Sequence, residues 1–311
     1  MFRMYSNLSR QSAACLTMVV AMMMSLHVQA RAVKSIHNPN DPGVKSGSAL
    51  VLDEATSEVL YARESDVAVP IASISKLMTA LVVLEAKQSP DDIITITEDD
   101  RDYEKYTTSR LKVGSKFSRD DLLHLALMSS ENRAAHALAR NYPGGAVECV
   151  KAMNLKARQL GMVHTHFVEP TGLSSDNVAS PEDLSKLVVE ASRNETIREY
   201  STDEYHTLKV GRQNMTFHNT DILVKRSDWN IIVQKTGYIA EAGKCLVLKT
   251  VIAGRSVVIV LLDSVGKYTR VADARRIRKW IEAKLPSLKL ASSTHSTANE
   301  QASLLMAPVS K

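Results

Sequence analysis

Two β-rich blocks stand at opposite ends of this chain with a mainly helical stretch between them, and that arrangement constrains the fold more than any other feature. Ser48 to Asp53 and Glu58 to Ala62 are short apolar runs on either side of Glu54-Ala55-Thr56-Ser57, which has the length and turn chemistry of a β-hairpin. Asn230 to Ile239, Lys244 to Ala253 and Ser256 to Ser264 form the second block, its last two runs separated only by Gly254 and Arg255. An amphipathic helix follows, from about Tyr268 to Leu285, and Pro286 ends it. The expected fold is α+β. A five-stranded antiparallel sheet is flanked by N- and C-terminal helices, and a mostly helical lobe is inserted. The sheet lobe takes residues 47–93 and 227–285, and the helical lobe takes 94–226. A cleft between the lobes is the natural place for a site.

The helices announce themselves by spacing and caps. Leu77, Ala80, Leu81 and Leu84 keep an i, i+3, i+4, i+7 pattern, so a buried helix is predicted from behind Ser73 to Ala86 or Lys87, with Pro70 just upstream. Ser118 is the expected N-cap of a helix over Leu122 to Met128, with Asp121 at its third position. Another helix begins near Glu131 and is broken by Pro143-Gly144-Gly145; Ala146 to Leu160 forms the next, stopped by Gly161. Ser180 caps a helix through Ala191.

Residues 1–30 contain no acidic residue, and Arg3 and Arg10 precede an apolar run from Ala13 to Leu26. Val28-Gln29-Ala30 supplies a small-x-small cleavage pattern, so this is read as a secretory signal peptide cut after Ala30. The run is about fourteen residues, too short to span a bilayer, and no integral membrane anchor is expected. Residues 31–46 read as a linker, 47–285 as the working domain, and the Ser/Thr/Ala-rich segment 286–311 as a disordered tail. The net charge of +5 falls to +3 without the two leader arginines, and no basic block is interleaved with aromatics, so nucleic acid is not an expected partner. Cys149 and Cys245 remain after cleavage; they are read either as a pair or as two separate buried thiols on a helix and a strand.

Three polar clusters carry chemistry. Ser73 and Lys76 lie three apart at a helix start, so the amine reaches the hydroxyl, and free backbone N–H groups stand close by. Ser130-Glu131-Asn132 falls in a short break between two helices, where a hydroxyl and an amide project into a cleft. Lys235-Thr236-Gly237 lies on a strand, and its glycine marks a place where another backbone or a ligand comes near. Alone, each has an ordinary structural reading as a cap, a solvated lysine or a bulge. Together, in this order and these contexts, they match the signature set of penicillin-binding proteins and serine β-lactamases.

The resemblance extends beyond the motifs. Ile71 to Ala80, Leu125 to Ala135, Glu169-Pro170-Thr171-Gly172-Leu173 and Gln234 to Tyr238 resemble the low-molecular-mass D-alanyl-D-alanine endopeptidases of Gram-negative periplasm, over roughly Gly47 to Leu285. The chain stops without the extra β-rich domain and amphipathic anchor of many related D,D-carboxypeptidases, which fits the endopeptidase branch. The resemblance implies a β-lactamase/transpeptidase-like fold and a periplasmic, soluble or loosely membrane-associated enzyme. The implied substrates are cross-linked peptidoglycan peptides, and β-lactam antibiotics would be covalent inhibitors. Ser73 is expected as nucleophile, Lys76 as a neutral base held down by burial and by Lys235, and Ser130 as proton relay. Asn132, Lys235, Thr236, Gly237 and Tyr238 are expected to bind substrate. The resemblance also implies an oxyanion hole from the backbone N–H groups of Ser73 and Tyr238.

The alternatives are a D-alanyl-D-alanine carboxypeptidase, a β-lactamase and a non-catalytic wall-binding or β-lactam-sensing protein. A class A β-lactamase pattern wants asparagine four residues after its glutamate, where Glu169 is followed by Leu173. No cofactor is expected. His164-Thr165-His166 lacks a third metal ligand of familiar spacing, and no phosphate-cradling glycine loop occurs.

Overall fold

The structure, a computed structural model, describes residues 41–210 and 213–284. The leader 1–30, most of the linker and the tail 286–311 lie outside the described residues. In chain order come β1 (Ser48–Asp53), β2 (Glu58–Arg63), β3 (Val69–Pro70), a 3₁₀ turn (Ala72–Ile74) and α1 (Ser75–Glu85). Next are β4 (Ile93–Thr95), β5 (Lys116–Ser118), α2 (Arg119–Met128), α3 (Asn132–Arg140), α4 (Gly145–Gln159), β6 (Val178–Ala179), α5 (Pro181–Ala191) and α6 (Glu195–Thr202). The chain continues with β7 (Tyr205–Val210), β8 (Gln213–His218), β9 (Asn230–Ile239), β10 (Gly243–Ile252) and β11 (Arg255–Ser264), and a final helix α7 occupies 269–284.

The five expected strands form one antiparallel sheet in the order β2-β1-β11-β10-β9. The two β-rich blocks meet where Val51 of β1 pairs with Ile259 of β11. The sheet is covered on both faces, which is why its inner strands read as near-continuous apolar runs. Along β11, Val258, Val260 and Leu262 join the core shared with the helical segments, while Val257, Ile259 and Leu261 pack with Val271, Ala274, Ile277 and Ile281 of α7. The four α7 residues repeat at helical spacing, and burying Val271, Ile277 and Ile281 contributes about 1.5–3 kcal/mol each.

Val44 is buried on the α7 side of the sheet. The carboxylate of Asp273 accepts from the backbone N–H groups of Lys45 and Ser46 and from the Ser46 hydroxyl, at 2.7–3.0 Å. These bonds fasten the chain just ahead of β1.

The caps fall where the sequence places them: Ser118 Oγ accepts from Asp121 N at 3.0 Å and Ser180 Oγ from Asp183 N at 3.2 Å. Helix α6 and the ribbons β3-β6, β4-β5 and β7-β8 were not foreseen. Strands of two or three residues carry no readable alternation, and β7 and β8 read polar because most of their residues are exposed or half-buried.

Candidate active site

Helix α1 is the axis of the site, with every residue from Ser75 to Val83 buried. The sequence places Ser73 at a helix start; it sits instead in the 3₁₀ turn that feeds α1, half-buried, with Ser75 Oγ donating to the carbonyl of Ala72 at 2.9 Å. Ala72 is left-handed at φ +49°, a conformation that costs a non-glycine residue roughly 1–2 kcal/mol. Two glycines close on this turn. A Cβ on Gly172 would lie 1.9 Å from the Ala72 oxygen, and one on Gly237 would lie 3.1 Å from the Ser73 nitrogen. The KTG glycine therefore brings β9 backbone against Ser73, the close approach that a glycine in a strand signals.

Lys76 is fully buried. Its Nζ donates to Ser73 Oγ at 2.9 Å, Asn132 Oδ1 at 2.7 Å and the Thr171 carbonyl at 2.5 Å. Burial pulls its pKa down to about 8, against the opposing pull of the carboxylates of Glu169, Glu131 and Asp102. Burial is thus the main cause at Lys76, rather than the neighbouring cation. At pH 7 about one amine in ten is neutral. In that form two N–H bonds satisfy Asn132 and Thr171, and the lone pair faces the Ser73 hydroxyl. Asn132 is oriented in turn, because its Nδ2 donates to Thr107 Oγ1 at 2.9 Å and that hydroxyl donates to Asp102 Oδ2 at 2.7 Å.

Ser130 lies in the break between α2 and α3, left-handed at φ +60° and half-buried. It is not the cap of α3; Glu131 is, accepting from Arg133 N at 3.3 Å. The Ser130 hydroxyl has no hydrogen-bond partner among the described residues, so the structure does not link it directly to Lys76 or Lys235.

On β9, Lys235 is fully buried and donates to the Thr236 carbonyl at 3.1 Å. Its pKa lies well below the ordinary value, through burial first and then the charges of Lys76 and Arg270. Thr236 Oγ1 and Thr220 Oγ1 share a hydrogen bond of 2.6 Å, and Arg270 Nη1 on α7 donates to the Gly237 carbonyl at 3.4 Å. Tyr238 is 60% exposed, with Lys244 Nζ 3.9 Å from its ring centroid.

Residues 33–266 match the peptidase family S11, D-alanyl-D-alanine carboxypeptidase. The chain belongs to this family. It is 46% identical to a D-alanyl-D-alanine endopeptidase of Pseudomonas aeruginosa over 86% of each chain. It is also 46% identical to one of Escherichia coli, over 78% of this chain and 79% of the relative. Among solved structures it is similar to the Streptomyces K15 DD-transpeptidase, with TM-score 0.73 and 29% identity over 78% of this chain and 99% of that one. As a family member it is a serine peptidase, and the resemblance read from the three motifs is borne out.

In this family member, Glu169 builds the loop that faces α1. Its carboxylate accepts from the backbone N–H groups of Thr171 and Gly172 and from the Thr171 hydroxyl, each at 2.6 Å, and from Asn177 Nδ2 at 2.9 Å. Thr79 Oγ1 donates to the Pro170 carbonyl at 2.7 Å, stapling the loop to α1. Glu169, Thr171 and Asn132 line a cleft of about 340 Å³ together with Asp102 and Tyr103. The sequence reading noticed the Glu169–Leu173 segment but gave it no role, and it missed Thr107, Thr220 and Arg270. Thr171 acts through a backbone carbonyl, which leaves no mark on residue type. Arg110 and Arg133 serve structure: Arg110 lies 3.8 Å over the Phe217 ring, and Arg133 donates to the Leu111 carbonyl. Cys149 and Cys245 are separate buried thiols, each pushed up to about 12 by burial.

Proposed function

We propose that this protein is a periplasmic D,D-endopeptidase that hydrolyses D-alanyl-meso-diaminopimelate cross-links in peptidoglycan through an acyl-enzyme on Ser73. The observation that carries the reading is the buried Lys76 amine, 2.9 Å from Ser73 Oγ and of lowered pKa. Ser73 attacks the D-alanyl carbonyl and Lys76 takes its proton. The developing oxyanion meets the backbone N–H groups of Ser73 and Tyr238. Ser130 relays the proton held by Lys76 to the leaving amine, which departs with the diaminopimelate side of the cross-link and leaves Lys76 neutral again. Asn132 holds the amide on the acyl side. Lys235 and Thr236, beside Gly237, hold the carboxylate next to the scissile nitrogen. Water then hydrolyses the ester, whereas a β-lactam leaves its acyl group on Ser73.

The endopeptidase names of the two relatives at 46% identity support this reaction over terminal D-alanine release. Glu169 speaks against a β-lactamase, because its carboxylate is occupied by its own loop rather than free to activate water. Secretion through residues 1–30 completes the proposal and rests on their sequence pattern.

The test incubates mature protein with purified sacculi and, separately, with pentapeptide monomers, then separates the muramidase-released products. The reading expects cross-linked dimers to fall and monomers to rise. Release of terminal D-alanine with dimers untouched would assign a carboxypeptidase instead.

A further inference from the structure

We propose that Tyr103 and Tyr106 form a saccharide-stacking platform on the rim of the cleft, where the glycan strand bearing the cross-linked peptides is held. This rests on the peptidoglycan reading above. Tyr103 is 62% exposed and Tyr106 77% exposed, whereas Phe117, Phe167 and Phe217 are all buried. Neither tyrosine ring has a hydrogen-bond or ring partner among the described residues. Tyr103 lines the same cleft as Asn132.

The segment presenting the rings is tightly built. The Asp102 carboxylate accepts from the backbone N–H groups of Glu104, Lys105 and Thr107 at 2.8–2.9 Å and from the Thr107 hydroxyl at 2.7 Å. Lys105 Nζ pairs with Glu241 Oε1 at 2.6 Å, tying the segment to the β9–β10 turn. Within it Tyr106 takes a left-handed φ of +54°, unusual for a bulky residue and held by these bonds. The same Thr107 hydroxyl accepts from Asn132, so the backbone that carries the rings is placed relative to the site.

The chemistry selects a sugar. Asp100 is engaged by Arg140 and His136, and Asp102 and Glu169 are engaged by backbone N–H groups. What the rim offers outward is therefore aromatic faces beside carboxylate oxygens that accept hydrogen bonds, the exposed ones of Asp99 and Glu104 among them. A pyranose with axial C–H faces and hydroxyl and acetamido donors fits that surface, as aromatic rings suit a ligand that is apolar on one side and wet on the other. A cleft of about 340 Å³ takes a short peptide, which leaves the polymer itself to lie across the rim.

The test titrates the full chain with peptide-free glycan strands, a probe that contains no scissile bond. Tyr103→Ala and Tyr106→Ala are each expected to weaken binding about tenfold, and Tyr106→Phe, which keeps the ring, to retain it. Wild-type affinity in both alanine variants would overturn the platform, as would loss in Tyr106→Phe equal to that in Tyr106→Ala, or tighter binding of a short cationic peptide than of glycan. Because no cross-link is cut, glycan binding without cross-link cleavage would sink the endopeptidase reading alone, and the reverse would sink the platform alone.

Discussion

The amine of Lys76 donates to the backbone carbonyl of Thr171 at 2.5 Å, so the nitrogen nearest Ser73 is held by a residue outside all three motifs. Thr171 is placed by the Glu169 loop and by the staple from Thr79 to Pro170. The geometry around Ser73 therefore depends on a connection between α1 and a loop some hundred residues on.

Gly172 is the tightest point of that connection. A Cβ there would sit 1.9 Å from the Ala72 oxygen and 2.7 Å from the Ser73 nitrogen, on a backbone at φ +81°. Gly172→Ala is expected to cost about 1–3 kcal/mol of stability and to slow penicillin acylation at least tenfold, because the backbone around Ser73 must yield. Thermal melts and acylation rates on the same variant check both. Unchanged acylation would mean that this contact does not position Ser73.

Glu169→Gln separates two effects of one carboxylate. It weakens the loop, whose lost hydrogen bonds are worth about 1–3 kcal/mol, and it removes a negative charge that favours protonated Lys76. With that charge gone the Lys76 pKa drops further. The rising limb of the acylation–pH profile is then expected to move to lower pH even as the maximum rate declines. A limb that stays in place would remove Glu169 from the electrostatics of Lys76.

Asp221 predicts a stability trend of its own. It is almost fully buried, one of its carboxylate oxygens has no partner among the described residues, and burial raises its pKa from 3.8 to about 6, with Arg270 partly offsetting. A raised pKa favours the folded protein while the group is protonated. That contribution is complete below about pH 4 and is lost as pH rises through about 6, amounting to about 3 kcal/mol by pH 8. Asp221→Asn, which keeps the shape without the charge, is expected to flatten this decline in denaturant melts. A wild-type slope in the variant would show that Asp221 does not titrate in this range.

The sheet and the three motifs were legible because each leaves a mark on residue type. Strand β11, expected from Ser256 to Ser264, runs from Arg255 to Ser264, since a strand covered on both faces reads as a continuous apolar run, here Val257 to Leu262. Ser73, Lys76 and Asn132 come together as their spacing suggests. What escaped notice works through backbone or through distance in the chain. Thr171 contributes a carbonyl, Arg270 reaches Gly237 from α7, and Thr107 reaches Asn132 from an irregular segment. The left-handed backbone at Ala72 and Ser130 also leaves no trace, because neither residue type asks for it. Of the two causes expected for the Lys76 shift, burial and the Lys235 cation, burial is the one that acts.

The central claim is that Ser73 is the nucleophile and Lys76, neutral, its base. The most direct measurement follows penicillin acylation of the mature protein from pH 5 to 10 and maps the adduct by mass spectrometry of proteolytic fragments. The account predicts one adduct, on Ser73, with a rate that rises about tenfold per pH unit at low pH and levels off near pH 8. An adduct on another residue, or a rate that does not change across this range, would contradict it.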